Sequence, residues 1–237
     1  MGRPQVGLSS LQGTIDAYAK RFDMVEVRVD TLATAKPATM RSWRRAAKPP
    51  FTFSVVLPKL CGTLQDSEET RHALTAALEV ATALEARCIV LETSADVRPT
   101  KQNRDRIRAL FRRIERPSVE LCWDARGVWE NPDIVATARS ANALPILDAT
   151  KDPLAPGPSV YTRVRALGRT GISAKALARL GEQLQGRRDA WVIIEDKRAA
   201  TRVRTELIGA ISRAGLGATP IVVRPSPGKL RAEDEEQ

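Results

Sequence analysis

Charged side chains recur at every second position inside runs that are otherwise apolar. Glu26, Arg28 and Asp30 alternate through Met24-Val-Glu-Val-Arg-Val-Asp30. Tyr161, Arg163 and Arg165 alternate through Val160-Tyr-Thr-Arg-Val-Arg165. A period of two places each set on one face of a strand. Burying a polar group in an apolar strand is costly unless it is paired. These residues therefore either pair with one another inside the fold or face a ligand. Other polar groups close apolar runs: Lys59 after Pro58, Glu92, Asp148, and Glu195-Asp196. The run Trp123-Asp124-Ala-Arg126-Gly127-Val-Trp129 adds a further arginine, beside a glycine that would let the backbone approach a ligand.

This inventory suits the recognition of an anion. Arginine holds a phosphate or carboxylate through two parallel hydrogen bonds. The candidate ligand-binding set is Arg126 and Arg163 as a clamp, Lys59 and Arg165 assisting, Gly127 at the approach and Trp129 as a flat wall. Glu26, Asp124 and Asp148 would orient the arginines or handle a proton, and Tyr161 would donate a hydrogen bond. For this site to exist, Arg126, Arg163 and Asp148 must converge in one cleft. No metal is expected there, because arginines alternate with the acids and would neutralise a hard-cation site. The sequence names no cofactor.

Other chemistries are excluded by counting. His72 is the single histidine and lies in an amphipathic stretch, so neither a Ser-His-Asp triad nor a histidine metal centre is available. Cys61, Cys88 and Cys122 are far apart and show no paired spacing, which points to free thiols and a cytoplasmic location. Phosphate-loop and dinucleotide glycine motifs are missing. No apolar run reaches membrane-spanning length, and the N-terminus has no signal-peptide pattern.

The elements that must position these residues follow from hydrophobic periodicity. Of 237 residues, 43% are hydrophobic and 28% charged, a globular balance. Short β-branched runs predict strands over 5–9, 24–29, 51–57, 88–92, 119–123, 144–148, 160–165 and 191–195. Helical spacing fills 13–21, 38–47, 67–86, 100–114, 132–141, 173–185 and 199–214. Eight strand–helix alternations predict an α/β fold, a TIM-like (β/α) barrel, with a doubly wound open sheet as the alternative. The barrel is expected to be irregular. The Pro- and Gly-rich stretch 149–159 holds no helix, and a ninth apolar run at 221–223 reads as an extra C-terminal strand. One domain over 1–225 and a disordered acidic tail over 226–237 complete the organisation. In such a barrel the strand-end residues above gather at the C-terminal mouth.

The formal net charge is +10, from 29 arginines and 9 lysines against 28 acids. Arg98, Arg104, Arg106, Arg108, Arg112, Arg113 and Arg116 crowd the fourth helix. They make a phosphate-tracking surface conceivable, although ten aromatic residues offer little base stacking. Three readings result: an enzyme-like barrel taking a small anion at its mouth, a nucleic-acid-binding barrel using this helix, or a structural module. No membrane partner is expected.

Three stretches also resemble a known family. Phe22-Asp-Met-Val-Glu26-Val-Arg, Thr39-Met-Arg-Ser-Trp43 and Phe51-Thr-Phe-Ser-Val-Val-Leu-Pro58-Lys are similar to the N-terminal half of the YecE-like proteins, also called domain of unknown function seventy-two. The Trp123–Trp129 run resembles that family's Trp-Glu-Pro-Arg-Gly-x-Trp element, and Asp148 and Tyr161-Thr-Arg163 its later Asp and Tyr-x-Arg positions. The resemblance spans roughly residues 5 to 205 and implies a TIM-like barrel with its site at the mouth. It implies no reaction. Several family positions differ here: Arg28 stands for Asn, Leu32 for Tyr, Val56 for Lys, Arg165-Ala166 for His-Gly and Glu195-Asp196 for an Asn pair.

Overall fold

The computed structural model describes residues 3–32, 36–114, 118–165 and 172–217. Among these residues eight parallel strands form one sheet: β1 (Gln5–Leu8), β2 (Met24–Arg28), β3 (Thr52–Val56), β4 (Cys88–Glu92), β5 (Glu120–Asp124), β6 (Leu144–Pro145), β7 (Ser159–Val164) and β8 (Asp189–Ile194). Their order is β6-β5-β4-β3-β2-β1-β8-β7, and a parallel bridge between Leu147 and Thr162 joins the two edges. The sheet is therefore rolled into a nearly closed barrel, not laid open.

Among the described residues seven helices pack outside: α1 (Ile15–Ala19), α2 (Pro37–Ala46), α3 (Glu68–Ala83), α4 (Lys101–Arg112), α5 (Asn131–Ser140), α6 (Ala174–Leu184) and α7 (Ala200–Gly217). Local chemistry sets their starts. Ser67, Thr100 and Ser173 each accept the N–H of the third residue beyond, at 3.2 Å, and Pro37 opens α2. Between β6 and β7 there is no helix, as the Pro/Gly composition of that stretch requires. The sixth strand is shorter than its apolar run. Pro145 interrupts the donor row, and beyond it pairing is reduced to the single bridge at Leu147. The ninth run, 221–223, and the acidic tail lie outside the described residues.

Strand parity sorts the side chains into two cores. One parity faces the helices, where Val25, Val27, Phe53, Val55, Ile89, Leu91 and Trp123 join a large apolar layer. The other parity fills the barrel with Met24, Val56, Cys88, Val90, Cys122, Ile146, Tyr161, Trp191 and Ile193. The same parity continues into Glu26, Arg28, Glu92, Asp124 and Arg163 at the strands' C-terminal ends. The barrel interior is thus apolar below and charged above.

At the β1–β2 seam the backbones leave no room for a side chain. A Cβ on Gly7 would stand 2.0 Å from the Met24 carbonyl oxygen. Tyr18 of α1 locks this seam. Its hydroxyl donates to the Met24 carbonyl at 3.0 Å and accepts the Leu8 N–H at 2.8 Å. Burial raises its ionisation above the ordinary tyrosine range, so it stays a donor. Gly7→Ala is expected to cost at least about 2 kcal/mol through backbone displacement. At this chain length that is a fall in Tm of roughly 4–8 °C in thermal unfolding followed by circular dichroism.

Candidate functional site

Arg163 lies at the centre of the barrel mouth and is fully buried. Its Nε and Nη2 donate to Glu26 Oε1 at 3.0 and 2.6 Å, and its Nη1 donates to Asp124 Oδ2 at 2.6 Å. The same Nη1 also meets Glu92 Oε1. Three strands therefore each send one carboxylate to a guanidinium carried by a fourth. Burial works against the Arg163 charge. Glu26, Asp124 and Glu92 outweigh it and hold the group far above its ordinary range.

Beneath it, the Tyr161 hydroxyl donates to Glu26 Oε1 at 2.7 Å and lies 3.1 Å from Ser54 Oγ. Tyr161 and Glu26 are both fully buried. Burial first, and then the Glu26 charge, push the Tyr161 hydroxyl well above the usual tyrosine range. The pair sits inside the barrel behind Arg163, out of reach of a molecule resting on the mouth.

Above Arg163 the network opens towards solvent. Arg28 binds Glu92 through two hydrogen bonds, at 2.9 and 2.6 Å, and approaches Glu26 Oε2 at 3.5 Å. Arg126 Nη2 stands 3.0 Å from Asp124 Oδ2 and 3.7 Å from Glu92 Oε1. Arg165 Nη2 donates to Asp124 Oδ1, while its Nε lies 3.9 Å from Glu195 Oε1. Four guanidinium groups thus share Glu26, Glu92 and Asp124 in direct contact. Arg126 and Arg165 sit on opposite oxygens of one carboxylate, with side chains 38% and 27% exposed.

Arg28 and Glu92 belong to this cluster but not to the candidate set drawn from the sequence. Their signal was available, since Arg28 alternates with Glu26 and Glu92 closes its strand. Asp30 leaves the cluster. The chain turns into a short 3-10 segment, Val29–Thr31, so the alternation stops at Arg28, and Asp30 instead accepts the Lys59 N–H at 2.7 Å. The Lys59 side chain is exposed at the end of β3.

Asp148 does not converge on the arginine side chains. Its Oδ1 accepts the Thr150 N–H at 3.1 Å and the Thr150 hydroxyl at 2.6 Å, and its Oδ2 accepts the Arg165 backbone N–H at 3.3 Å. It fixes where β7 ends and so where Arg165 begins. Trp129 is not a wall of the mouth. It packs edge-on against Trp123, with ring centroids 4.9 Å apart, and its indole N–H donates to the Val97 carbonyl at 2.6 Å. Gly127, at φ +82°, brings the backbone close to another loop rather than to open space. A Cβ there would lie 2.2 Å from the Ala95 carbonyl oxygen.

The fourth helix is less free than its composition implies. Arg104 pairs with Asp133 at 3.0 Å and covers the Trp129 ring, Arg108 pairs with Asp105, and Arg113 pairs with Asp66 at 2.9 Å. Arg116 lies outside the described residues. Cys61, Cys88 and Cys122 are buried free thiols. Among the described residues no group of acids, histidines or cysteines is arranged to hold a metal, and no helix is long and apolar enough to cross a membrane.

A family model described as "Protein of unknown function DUF72" matches residues 6–205. The chain belongs to this family. Solved DUF72 proteins share its fold. One from Enterococcus faecalis V583 superposes with a TM-score of 0.68 at 15% identity, covering 88% of this chain and 97% of that one. One from Thermotoga maritima MSB8 gives 0.62 at 15%, covering 90% and 100%. The likeness extends to a D-psicose 3-epimerase from Clostridium cellulolyticum H10, at 0.58 and 12% identity, covering 90% and 98%. No curated protein matches the chain. DUF72 membership and these neighbours establish the barrel, a fold also present in proteins named as sugar 3-epimerases.

The network makes stability depend on acid pH. Burial would raise the Glu92 carboxyl, but the Arg28 hydrogen bond and the charges of Arg163 and Arg28 outweigh it and bring it from 4.5 down to about 2. A carboxyl depressed on folding stabilises the fold fully above its unfolded value. That contribution declines as pH falls below 4.5 and is gone near 2. Glu92→Gln is expected to cost about 2–4 kcal/mol at pH 7, because part of the compensation of Arg163 is removed. Denaturant unfolding at a series of pH values should show the gap to the parent protein narrowing from pH 4.5 downwards. A gap that stays constant with pH would contradict this account.

Proposed function

We propose that this barrel binds a small anion, a phosphate or carboxylate compound, on Arg126 and Arg165 at its C-terminal mouth. The observation that carries the reading is the placement of these two guanidinium groups on the two oxygens of Asp124. One carboxylate fixes both side chains, and each has further N–H groups beyond that contact. Arg165 Nε is a buried donor without a hydrogen-bond partner among the described residues. An unmet buried donor costs about 1–3 kcal/mol, which a turn of the side chain bringing Nε to an oxyanion would recover.

Roles differ from a simple clamp of Arg126 and Arg163. Arg163 is enclosed by carboxylates and acts as a positioning residue for Asp124. Asp148 positions Arg165 through its backbone. Glu26 and Tyr161 support Arg163 from below. The likeness to proteins named as sugar epimerases supports a small molecule at the strand ends as the ligand class, but at 12% identity it lends no reaction.

A second reading has its own support. The complete enclosure of Arg163 by Glu26, Asp124 and Glu92 is what an internal strut requires, and on that reading the mouth is purely structural. Calorimetric titration with inorganic phosphate, sugar phosphates and short carboxylic acids separates the two. We expect binding that weakens at least tenfold in Arg126→Ala and in Arg165→Ala, while both variants keep the parent's circular dichroism spectrum. Binding unchanged in both variants, or no binding by any of these anions, would favour the strut.

A further inference from the structure

The end of the barrel opposite the mouth carries a basin of about 1110 Å³, ringed by the starts of β1 to β5 and of β8. Small-molecule sites usually enclose about 300–1,000 Å³, so the basin has room for a ligand and some water. Its lining joins two chemistries. The edges of Phe22, Phe51 and Trp191, each less than a tenth exposed, form part of an apolar floor, and five arginine or lysine side chains, Lys48, Arg87 and Arg188 among them, outnumber three carboxylates, Asp23, Glu85 and Asp189, around it.

The cations are not equally committed. Arg188 is paired with Asp189 at 2.7 Å. Among the described residues neither Lys48 nor Arg87 has an ion-pair or side-chain hydrogen-bond partner. Both stand on fixed backbone. The Arg87 N–H donates to the Phe53 carbonyl at 2.9 Å, and its carbonyl accepts the Glu120 N–H at 2.8 Å. The Lys48 carbonyl accepts the Phe51 N–H at 3.1 Å. Two exposed positive groups with no partner among the described residues thus stand at the edge of the same apolar floor.

We propose that this basin is a second binding site, for a small anion with a flat apolar body. Its acid group is held by Arg87 and Lys48, and its ring lies against the aromatic lining. The concavity favours a compact ligand over a long polyanion, which would track an exposed convex surface. The apolar lining separates this site from the mouth, where charged groups meet almost only one another. A purely inorganic anion would leave the apolar floor unused, and a neutral ring would gain nothing from the two cations.

The test uses the full chain and 2-naphthoate as the probe, with acetate and 2-naphthalenemethanol as the charge-only and ring-only controls, in isothermal titration calorimetry. Naphthoate is expected to bind at least tenfold more tightly than either control. Its affinity should fall at least tenfold in the Lys48→Glu, Arg87→Glu double variant and several-fold in the milder Lys48→Gln, Arg87→Gln pair. These titrations are made in the Arg126→Ala, Arg165→Ala background, so that an anion held at the mouth adds nothing to the signal. Absence of naphthoate binding to the parent protein would overturn the proposal, as would an affinity in both double variants equal to that measured with Lys48 and Arg87 in place. Naphthoate binding by the parent that is lost in the Arg126→Ala, Arg165→Ala background would also overturn it, by moving the anion to the mouth.

Discussion

Everything at the mouth of this barrel depends on one buried charge. Arg163 has no exposed surface, so its guanidinium must be answered inside the protein. A buried cation left unpaired costs several kcal/mol even after relaxation. Glu26, Glu92 and Asp124 meet that requirement from three separate strands, and each then brings in or supports a further group. Glu92 holds Arg28, Asp124 holds Arg126 and Arg165, and Glu26 accepts Tyr161. The arrangement works as a hub. The position of each rim arginine is set by a carboxylate whose own position is set by Arg163.

Strand parity explains why the hub is where it is. Parallel strands in a barrel point alternate residues inwards, so one run writes both the helix-facing core and the barrel filling. In β2 the inward residues are Met24, Glu26 and Arg28, which pass from apolar to charged along the strand. β4 passes from Cys88 and Val90 to Glu92, and β5 from Cys122 to Asp124. Apolar packing at the lower level anchors the strands, and the upper level can then carry charge because every member has a partner.

Much of this was legible in the sequence. The β-branched runs located the eight strands, and the Pro-rich stretch foretold the absent helix before β7. The alternation of Glu26 with Arg28, and of Tyr161 with Arg163, marked a paired interior or a ligand face, and the structure contains the paired interior. Legibility ended where strands ended. Parity no longer constrains a residue once the chain turns, so Asp30, Asp148, Gly127 and Trp129 had no reliable direction. Each is spoken for locally: a backbone N–H for Asp30 and Asp148, a carbonyl contact for Gly127, the helix-side core for Trp129. The basin at the other end left no signal at all. Its lining comes from the starts of six strands, and nothing in one stretch of sequence reports on the other five.

The joint between β6 and β7 has a consequence for how the molecule comes apart. Elsewhere neighbouring strands share two to six residue pairs. Here the pairing is one bridge, at Leu147 and Thr162. A side chain takes over the missing ladder. The Thr162 hydroxyl donates to the Leu147 carbonyl at 2.7 Å and accepts the Ala149 N–H at 3.1 Å. Protection against hydrogen exchange follows the free energy of local opening, which is lowest where few bonds hold. The rolled sheet therefore has a built-in line of release. Its unrolling begins beside the strand that carries Arg163, and the charged hub is the fastening that delays it.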